Sequence, residues 1–187
     1  MNAMAVGQRM TADEYLALGF DEVRSELVEG EVVVHDPLNL HQVVVMDLLR
    51  ALDAWARKQP GRGRVSIPLD VKLDERNVFG PDLMWYAEGR DPGRHDDRPY
   101  PLPDLVVEVR SPSTWRYDIG AKKAAYERGG LPELWLVDTA ADEILVFRRS
   151  VPKAVLFDLS LELTVDDDLT SPLLPGFALS LRTLFAT

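Results

Sequence analysis

The chain contains no cysteine, which excludes a disulfide framework, a thiolate zinc site and a cysteine nucleophile together. A reducing cytoplasm is the compartment that fits. No segment approaches the roughly 20 consecutive apolar residues a membrane span needs, and Met1 to Met10 hold one Arg and no apolar stretch of signal-peptide length. The expectation is a soluble protein that stays inside the cell, with no membrane partner. Basic charge is scarce as well: 21 Lys and Arg stand against 31 Asp and Glu, a formal charge of −10. That balance argues against general coating of nucleic acid, whose affinity comes from Lys and Arg displacing counterions. Local binding stays open, because basic residues gather between Arg57 and Arg64 and between Arg110 and Arg128, while acid collects at Asp166, Asp167 and Asp168 and in the first thirty residues. The net charge by itself reads as a solubility setting. A Gly-x-Ser-x-Gly elbow, a P-loop and a dinucleotide fingerprint are all missing.

What is present suits one domain. A chain of 187 residues buries enough surface for a core without staples; residues 1–9 read as a tail and 10–187 as the domain. Thr11 with Glu14 forms a capping-box signature before Tyr15, Leu16 and Leu18, predicting a short helix that ends at Gly19. Glu26-Leu27-Val28 and Glu31-Val32-Val33-Val34 flank Glu29-Gly30 as the arms of a hairpin, with Gly supplying a positive φ. Leu40, Val43, Val44, Leu48, Leu49, Leu52 and Trp55 recur at helical spacing until Pro60-Gly61. Val65 to Tyr86 reads as two strands joined by a turn, the second starting at Asp82, and Glu88 to Pro103 as a long aperiodic loop where substrate contacts would be decided. Asp104 to Val109, a helix over Asp118 to Arg128 stopped by Gly129-Gly130, and Leu134 to Val137 then form a β-α-β unit with parallel pairing. Ile144 to Arg148 and Ala154 to Leu163 extend it as antiparallel strands, and Leu181 to Phe185 closes as a helical turn. The class is α/β, a mixed β-sheet flanked by α-helices.

Glu108 stands alone among Leu105, Val106, Val107 and Val109. A carboxylate in a strand buried on both faces needs a proton, a partner or a metal. An ion pair with Arg110, two residues on along the same strand face, competes evenly with a metal role. Asp82 follows Pro81 before the apolar Leu83-Met84-Trp85-Tyr86; alone, Pro-Asp is a common turn dipeptide. Two acids converging from neighbouring strands can instead hold Mg²⁺, which binds through one or two carboxylates and keeps water for substrate phosphate. Lys122 and Lys123 open the following helix, and one of them returns to the strand end, where an ammonium orients water and offsets phosphate charge. Neighbours on a helix point about 100° apart, so the other faces solvent; Lys123 is the outward candidate. Glu26 is a candidate acid near the same site, in competition with Glu29 and Glu31. His41 is a candidate phosphate contact or base against the ordinary reading of a hydrogen-bonded structural histidine. Ser111-Pro112-Ser113-Thr114 reads as a strand exit with hydroxyl caps.

Ser25-Glu26-Leu27-Val28-Glu29-Gly30-Glu31, Leu40-His41-Gln42, Gly80-Pro81-Asp82-Leu83, Pro103-Asp104-Leu105-Val106-Val107-Glu108-Val109-Arg110-Ser111-Pro112-Ser113-Thr114, Tyr117-Asp118-Ile119-Gly120-Ala121-Lys122-Lys123-Ala124-Ala125-Tyr126 and Gly130-Leu131-Pro132-Glu133-Leu134-Trp135-Leu136-Val137-Asp138 together resemble the Uma-type family of restriction endonucleases. The match runs from about Met10 to about Phe185 and includes the closing Leu174-Pro175-Gly176-Phe177. The resemblance implies a restriction-endonuclease-like core of the PD-(D/E)XK nuclease superfamily. It implies Asp82 and Glu108 as the metal-binding acids, Lys122 as the catalytic lysine displaced onto the helix, Glu26 as a further site acid and His41 as a family histidine of no assigned role; His41, Arg110 and Ser111 are the candidate substrate contacts. Arg110 replaces the usual lysine two residues after the second acid, and an arginine does not readily share a proton. Mg²⁺, with Mn²⁺ as a substitute, is the implied cofactor, DNA the implied substrate and a homodimer the implied assembly.

Two other readings stand beside a Mg²⁺-dependent endonuclease. One is a catalytically silent nucleic-acid-binding or regulatory protein on the same fold, which a closed Glu108–Arg110 salt bridge would favour. The other is a serine hydrolase using Ser111 or Ser113 with His41, which lacks a nucleophile elbow.

Overall fold

The computed structural model describes residues 9–18 and 24–186. Helix α1 (Ala12–Ala17) opens on the expected capping box: Thr11 Oγ1 accepts from the Glu14 N–H and Glu14 Oε2 from the Thr11 N–H, meeting two of the orphan donors of a helix start. The expected stop at Gly19 lies outside the described residues. Strands β1 (Ser25–Val28) and β2 (Glu31–Val34) pair antiparallel. Both turn residues, Glu29 at φ 52° and Gly30 at φ 84°, are left-handed, the two-residue geometry that matches strand twist. A Cβ on Gly30 would lie 3.0 Å from the Met10 carbonyl, so glycine is needed there for space as well as for φ.

Helix α2 (Asn39–Arg57) follows, capped at Lys58 just before Pro60-Gly61. Between Val65 and Tyr86 the chain forms four strands rather than the expected two: β3 (Arg64–Ser66), β4 (Val71–Asp74), β5 (Asn77–Phe79) and β6 (Leu83–Tyr86). The missed turn joins β4 to β5 through Glu75 and Arg76, where the Asp74 carboxylate accepts from the Arg76 N–H and the Asn77 amide. It carries no Gly or Pro to announce it. Strand β7 (Leu105–Val109) leads into α3 (Trp115–Tyr117), a π-helical turn over Asp118–Lys122 and α4 (Lys123–Gly129), which Gly130 ends at φ 87°. Strand β8 (Glu133–Asp138) pairs parallel to β7, completing the β-α-β unit. Then come β9 (Glu143–Arg148), β10 (Leu159–Leu163), the short pair β11 (Asp168–Leu169) and β12 (Leu179–Ser180), and α5 (Leu181–Leu184). The strand expected from Ala154 begins only at Leu159. Between Glu88 and Pro103 the loop stays irregular, with one bridge from Tyr100 to Val71.

The central sheet runs β10-β9-β8-β7-β6-β3, and a second sheet runs β2-β1-β5-β4. On one face of the central sheet Val44, Leu48, Leu52 and Trp55 of α2 pack against Leu83, Trp85, Leu105, Val107, Trp135 and Val137. Phe177 seals this side, stacked on Trp135 at 6.0 Å between ring centroids. On the other face Val106, Leu134 and Leu136 meet Ala125 and Tyr126 of α4, with Phe79 and Val28 from the second sheet. Side chains alternate along a strand, so Glu108 shares the α4 face with Val106. The result is the expected mixed sheet flanked by helices. No helix among the described residues is long and apolar enough to cross a membrane.

Candidate active site

Strands β6 and β7 pair antiparallel with Leu83 opposite Val107 and Met84 opposite Val106. Continued by one residue, that register sets Asp82 opposite Glu108, where cross-strand side chains on one face lie close together. A hydrogen bond fixes the approach: the Val109 N–H donates to Asp82 Oδ2 at 2.8 Å. Asp82 is held from two further directions, by Arg24 Nη2 on Oδ1 at 3.0 Å and by His41 Nε2 at 3.1 Å from Oδ2.

Lys122 comes to the same place from the π-helical turn. Its Nζ lies 2.7 Å from Glu108 Oε1, 2.9 Å from Glu26 Oε2 and 3.1 Å from Asp118 Oδ1. The wider turn of a π-helix, often found at functional sites, stacks Asp118 and Lys122 on one face, and Tyr126 follows four residues later in α4. Tyr126 donates its hydroxyl hydrogen to Glu108 Oε1 at 2.7 Å. Glu26, in β1, is fixed by the Gly80 N–H on Oε1 at 2.7 Å and by His35 Nε2 at 2.9 Å from Oε2. All of Asp82, Glu108, Lys122, Glu26, Asp118 and Tyr126 are buried.

Burial dominates the electrostatics and the charges then divide the acids. Burial raises Glu108, Lys122 lowers it, and Glu26, Asp118 and Asp82 raise it again, leaving it at about 8. Asp118 is raised for the same reasons. Glu26 is also pushed up by burial, but Lys122 and His35 outweigh that and hold it below the usual carboxylate range. Asp82 ends lowered because His41, Arg24 and the Val109 N–H overcome burial. Lys122 loses from burial and gains more from three carboxylates, so its ammonium form is secured. The cluster thus holds one secured ammonium, two acids shifted toward their ionised form, Glu26 and Asp82, and two shifted toward the protonated form, Glu108 and Asp118.

Asp82, Glu108, Lys122, Glu26 and His41 therefore converge. Glu29 and Glu31 are exposed, at the turn and at the start of β2. Arg110 does not reach Glu108. Strand β7 ends at Val109, so two-residue alternation no longer applies, and Arg110 Nη1 binds both oxygens of Asp138 at 2.8 Å with its guanidinium over Trp115. Lys123 points away from the acids as expected, yet it is half-buried with Nζ 4.4 Å from the Phe147 ring centroid instead of standing in solvent. Ser111 is buried beyond the strand exit with Oγ 3.2 Å from Ser113 Oγ. Its carbonyl accepts from the Thr114 and Trp115 N–H groups, while the Thr114 side chain caps nothing; the expected hydroxyl caps are replaced by backbone bonds. Neither serine bonds His41, whose Nε2 is engaged by Asp82.

Arg24, His35, Asp118 and Tyr126 were not found from the sequence. For Asp118 and Tyr126 a signal existed, since they lie four residues either side of Lys122 and share its helix face. Arg24 and His35 join only through the fold.

The donor set suits a hard divalent cation. Glu108 Oε1 takes both Tyr126 and Lys122, leaving Oε2 outside those contacts, and Asp82 faces the same peptide. Mg²⁺ needs only one or two carboxylates and completes its shell with water or substrate oxygens. Among the described residues no three His, Asp or Glu side chains are grouped to hold an ion by themselves, so water and substrate would supply the remaining ligands.

The chain is similar in structure to a putative nuclease belonging to DUF820 from Anabaena variabilis, with a TM-score of 0.78 at 20% identity over 95% of this chain and 98% of that one. No curated protein matches it in sequence. The pattern of the Uma2 family, described as putative restriction endonuclease, matches residues 12–182, and a match over that span, enclosing every residue of the buried cluster, places the chain in the Uma2 family.

Proposed function

We propose that this protein is an endonuclease that hydrolyses phosphodiester bonds of DNA with Mg²⁺, or Mn²⁺ in its place. The observation that carries the reading is the meeting of Asp82 and Glu108 across the β6–β7 register with Lys122 Nζ 2.7 Å from Glu108. Membership of a restriction-endonuclease family supports it. A divalent ion held by Asp82 and Glu108 would lower the pKa of a bound water and offset the charge on the attacked phosphate. Arg24, His41 and the Val109 N–H fix the Asp82 carboxylate, and Tyr126 fixes that of Glu108. Lys122 supplies a desolvated ammonium beside Glu108, able to donate to an attacking water or a phosphate oxygen, with Glu26 and Asp118 holding it in place.

The test is calorimetry with Mn²⁺ and Mg²⁺ on wild type and Asp82→Ala, followed by incubation of both with plasmid DNA. Wild type is expected to bind the ion and nick the plasmid, and the variant to do neither. Nicking by Asp82→Ala at the wild-type rate would falsify the assignment. One observation favours a second reading: Lys122 closes the cluster by pairing with three acids at once. If wild type binds no metal, that network is an internal ion cluster and the protein is a silent nucleic-acid-binding module.

A further inference from the structure

The buried acids share a wall with an open groove of about 200 Å³ whose lining includes Tyr15, Arg24, Ser25, Asp70, Gly80 and Arg98. Gly80 belongs to both, since its N–H holds Glu26 and its carbonyl accepts from Arg24 Nη2 at 2.7 Å. Arg24 belongs to both as well. Its Nη2 also reaches Asp82 Oδ1, while its side chain remains 31% exposed. Among the described residues every bond of Arg24 runs from Nη2, Nη1 meets no acceptor, and the buried Nε meets none either. The second guanidinium in the groove comes from the irregular loop between Glu88 and Pro103. Arg98 Nη1 binds Asp70 Oδ2 at 3.0 Å and Nη2 binds the Leu16 carbonyl at 3.1 Å, with the side chain 40% exposed.

We infer that this groove seats a phosphodiester of the nucleic-acid backbone beside Asp82, with Arg24 as the phosphate-positioning residue and Arg98 as a second contact. The inference rests on the nuclease reading and adds where the strand lies. Two guanidiniums lining one groove suit a phosphate because their positive charge and N–H donors match its oxygens. Arg24 brings unspent donors to that role, and they sit one residue contact away from the carboxylate proposed to hold the ion. Tyr15, the aromatic side chain among the described residues that line the groove, is buried, and its hydroxyl donates to the Ser25 carbonyl at 2.7 Å. The contact is therefore with the backbone and neutral to sequence.

Binding of a labelled duplex oligonucleotide, followed by fluorescence anisotropy over a range of salt, tests the inference in the full chain with Arg24→Gln and Arg98→Gln. Calorimetry with Mn²⁺ in the absence of DNA runs alongside. Each variant is expected to bind the duplex about tenfold more weakly, the loss of one charge-assisted contact, and to lower the salt slope by about one phosphate contact. Arg98→Gln, which touches none of the buried acids, keeps the wild-type Mn²⁺ affinity. A merely structural arginine would not move the salt slope. Unchanged duplex affinity and slope in both variants overturn the inference, as does a wild type that binds inorganic phosphate but no oligonucleotide. Failure of wild type to bind Mn²⁺, or nicking by Asp82→Ala, strikes the nuclease reading instead and leaves the duplex affinities to decide the groove.

Discussion

Lys122 Nζ lies 2.7 Å from Glu108 Oε1, and both side chains are closed off from solvent. Glu26 and Asp118 stand at 2.9 and 3.1 Å from the same nitrogen, so one ammonium is the counter-charge of three buried acids. Lys122→Met removes it, together with its cation–π contact 5.4 Å from the Phe79 ring centroid, while keeping an unbranched apolar side chain in the site. A buried acid stripped of its partner destabilises by about 3–5 kcal/mol, and that is the loss expected at pH 7 in urea denaturation. The deficit shrinks toward pH 5, because carboxyls without the cation hold their protons more tightly when folded than when unfolded. Raised folded pKa values give stability at low pH that is lost as pH rises. A loss below about 1 kcal/mol at pH 7, or one that grows on acidification, would contradict the counter-charge role.

Glu108 gives the wild type its own pH signature. Its carboxyl is raised from 4.5 to about 8, by burial first and by Glu26, Asp118 and Asp82 against the pull of Lys122. A group raised in the folded state contributes stability that is complete below its unfolded pKa and is lost as pH climbs through the folded one, at up to about 1.4 kcal/mol per pH unit. Glu26, shifted down, acts only on the other side, losing stability as pH falls below its unfolded value of 4.5. Glu108, whose unfolded and folded values bracket pH 5 to 8, therefore contributes a falling slope across that window. Glu108→Gln has no proton to lose and is expected to show a flatter stability curve over that window. Urea midpoints at pH 5, 6, 7 and 8 check this; parallel curves would mean that Glu108 is ionised throughout.

Much of this site was legible because local chemistry dictates it. Glu108 announces itself as a lone charge in an apolar strand, and the hairpin that presents Glu26 is written in Glu29-Gly30, a turn whose backbone requires glycine. Helix α2 follows from its stripe, and Thr11 with Glu14 marked a cap that forms. What escaped depends on geometry that spacing alone does not fix. The strand pattern linking Glu108 to Arg110 stops one residue early, at Val109. The split of Val65 to Tyr86 into four strands turns on Asp74 capping a charged turn. The four-residue spacing of Asp118 from Lys122 is visible in the sequence, but the π-helical turn that carries both to Glu26 and Glu108 follows from no simple periodicity. Arg24 and His35 meet the acids only after β1, β5 and β6 have come together.

Arg110 provides a control on that geometry. Its guanidinium is a third exposed and paired to Asp138, so Arg110→Met is expected to lower stability by about 1 kcal/mol, the scale of a partly solvated pair. The affinity for Mn²⁺ is expected to stay at the wild-type value, since the side chain makes no bond to Glu108 or Asp82. Calorimetry on the variant decides it: a tenfold change in ion affinity would place Arg110 in the acid cluster after all.

Asp118 separates positioning from metal holding. It touches Lys122 at 3.1 Å and makes no bond to Asp82 or Glu108, so Asp118→Asn should act through the lysine alone. Asparagine keeps the size and one acceptor but removes the charge that helps hold the ammonium between Glu26 and Glu108. Loss of such a supporting partner reduces activity by about 10–100-fold in metal-dependent sites, and a plasmid-nicking rate in the lower part of that range is expected, with Mn²⁺ affinity unaltered. Both quantities must be measured, because they divide the roles. A fall in rate with constant ion affinity identifies Asp118 as the residue that positions Lys122. A parallel fall in ion affinity makes it part of the cation's own environment, and a wild-type rate removes it from the machinery, leaving Glu26 as the carboxylate that holds the lysine in place.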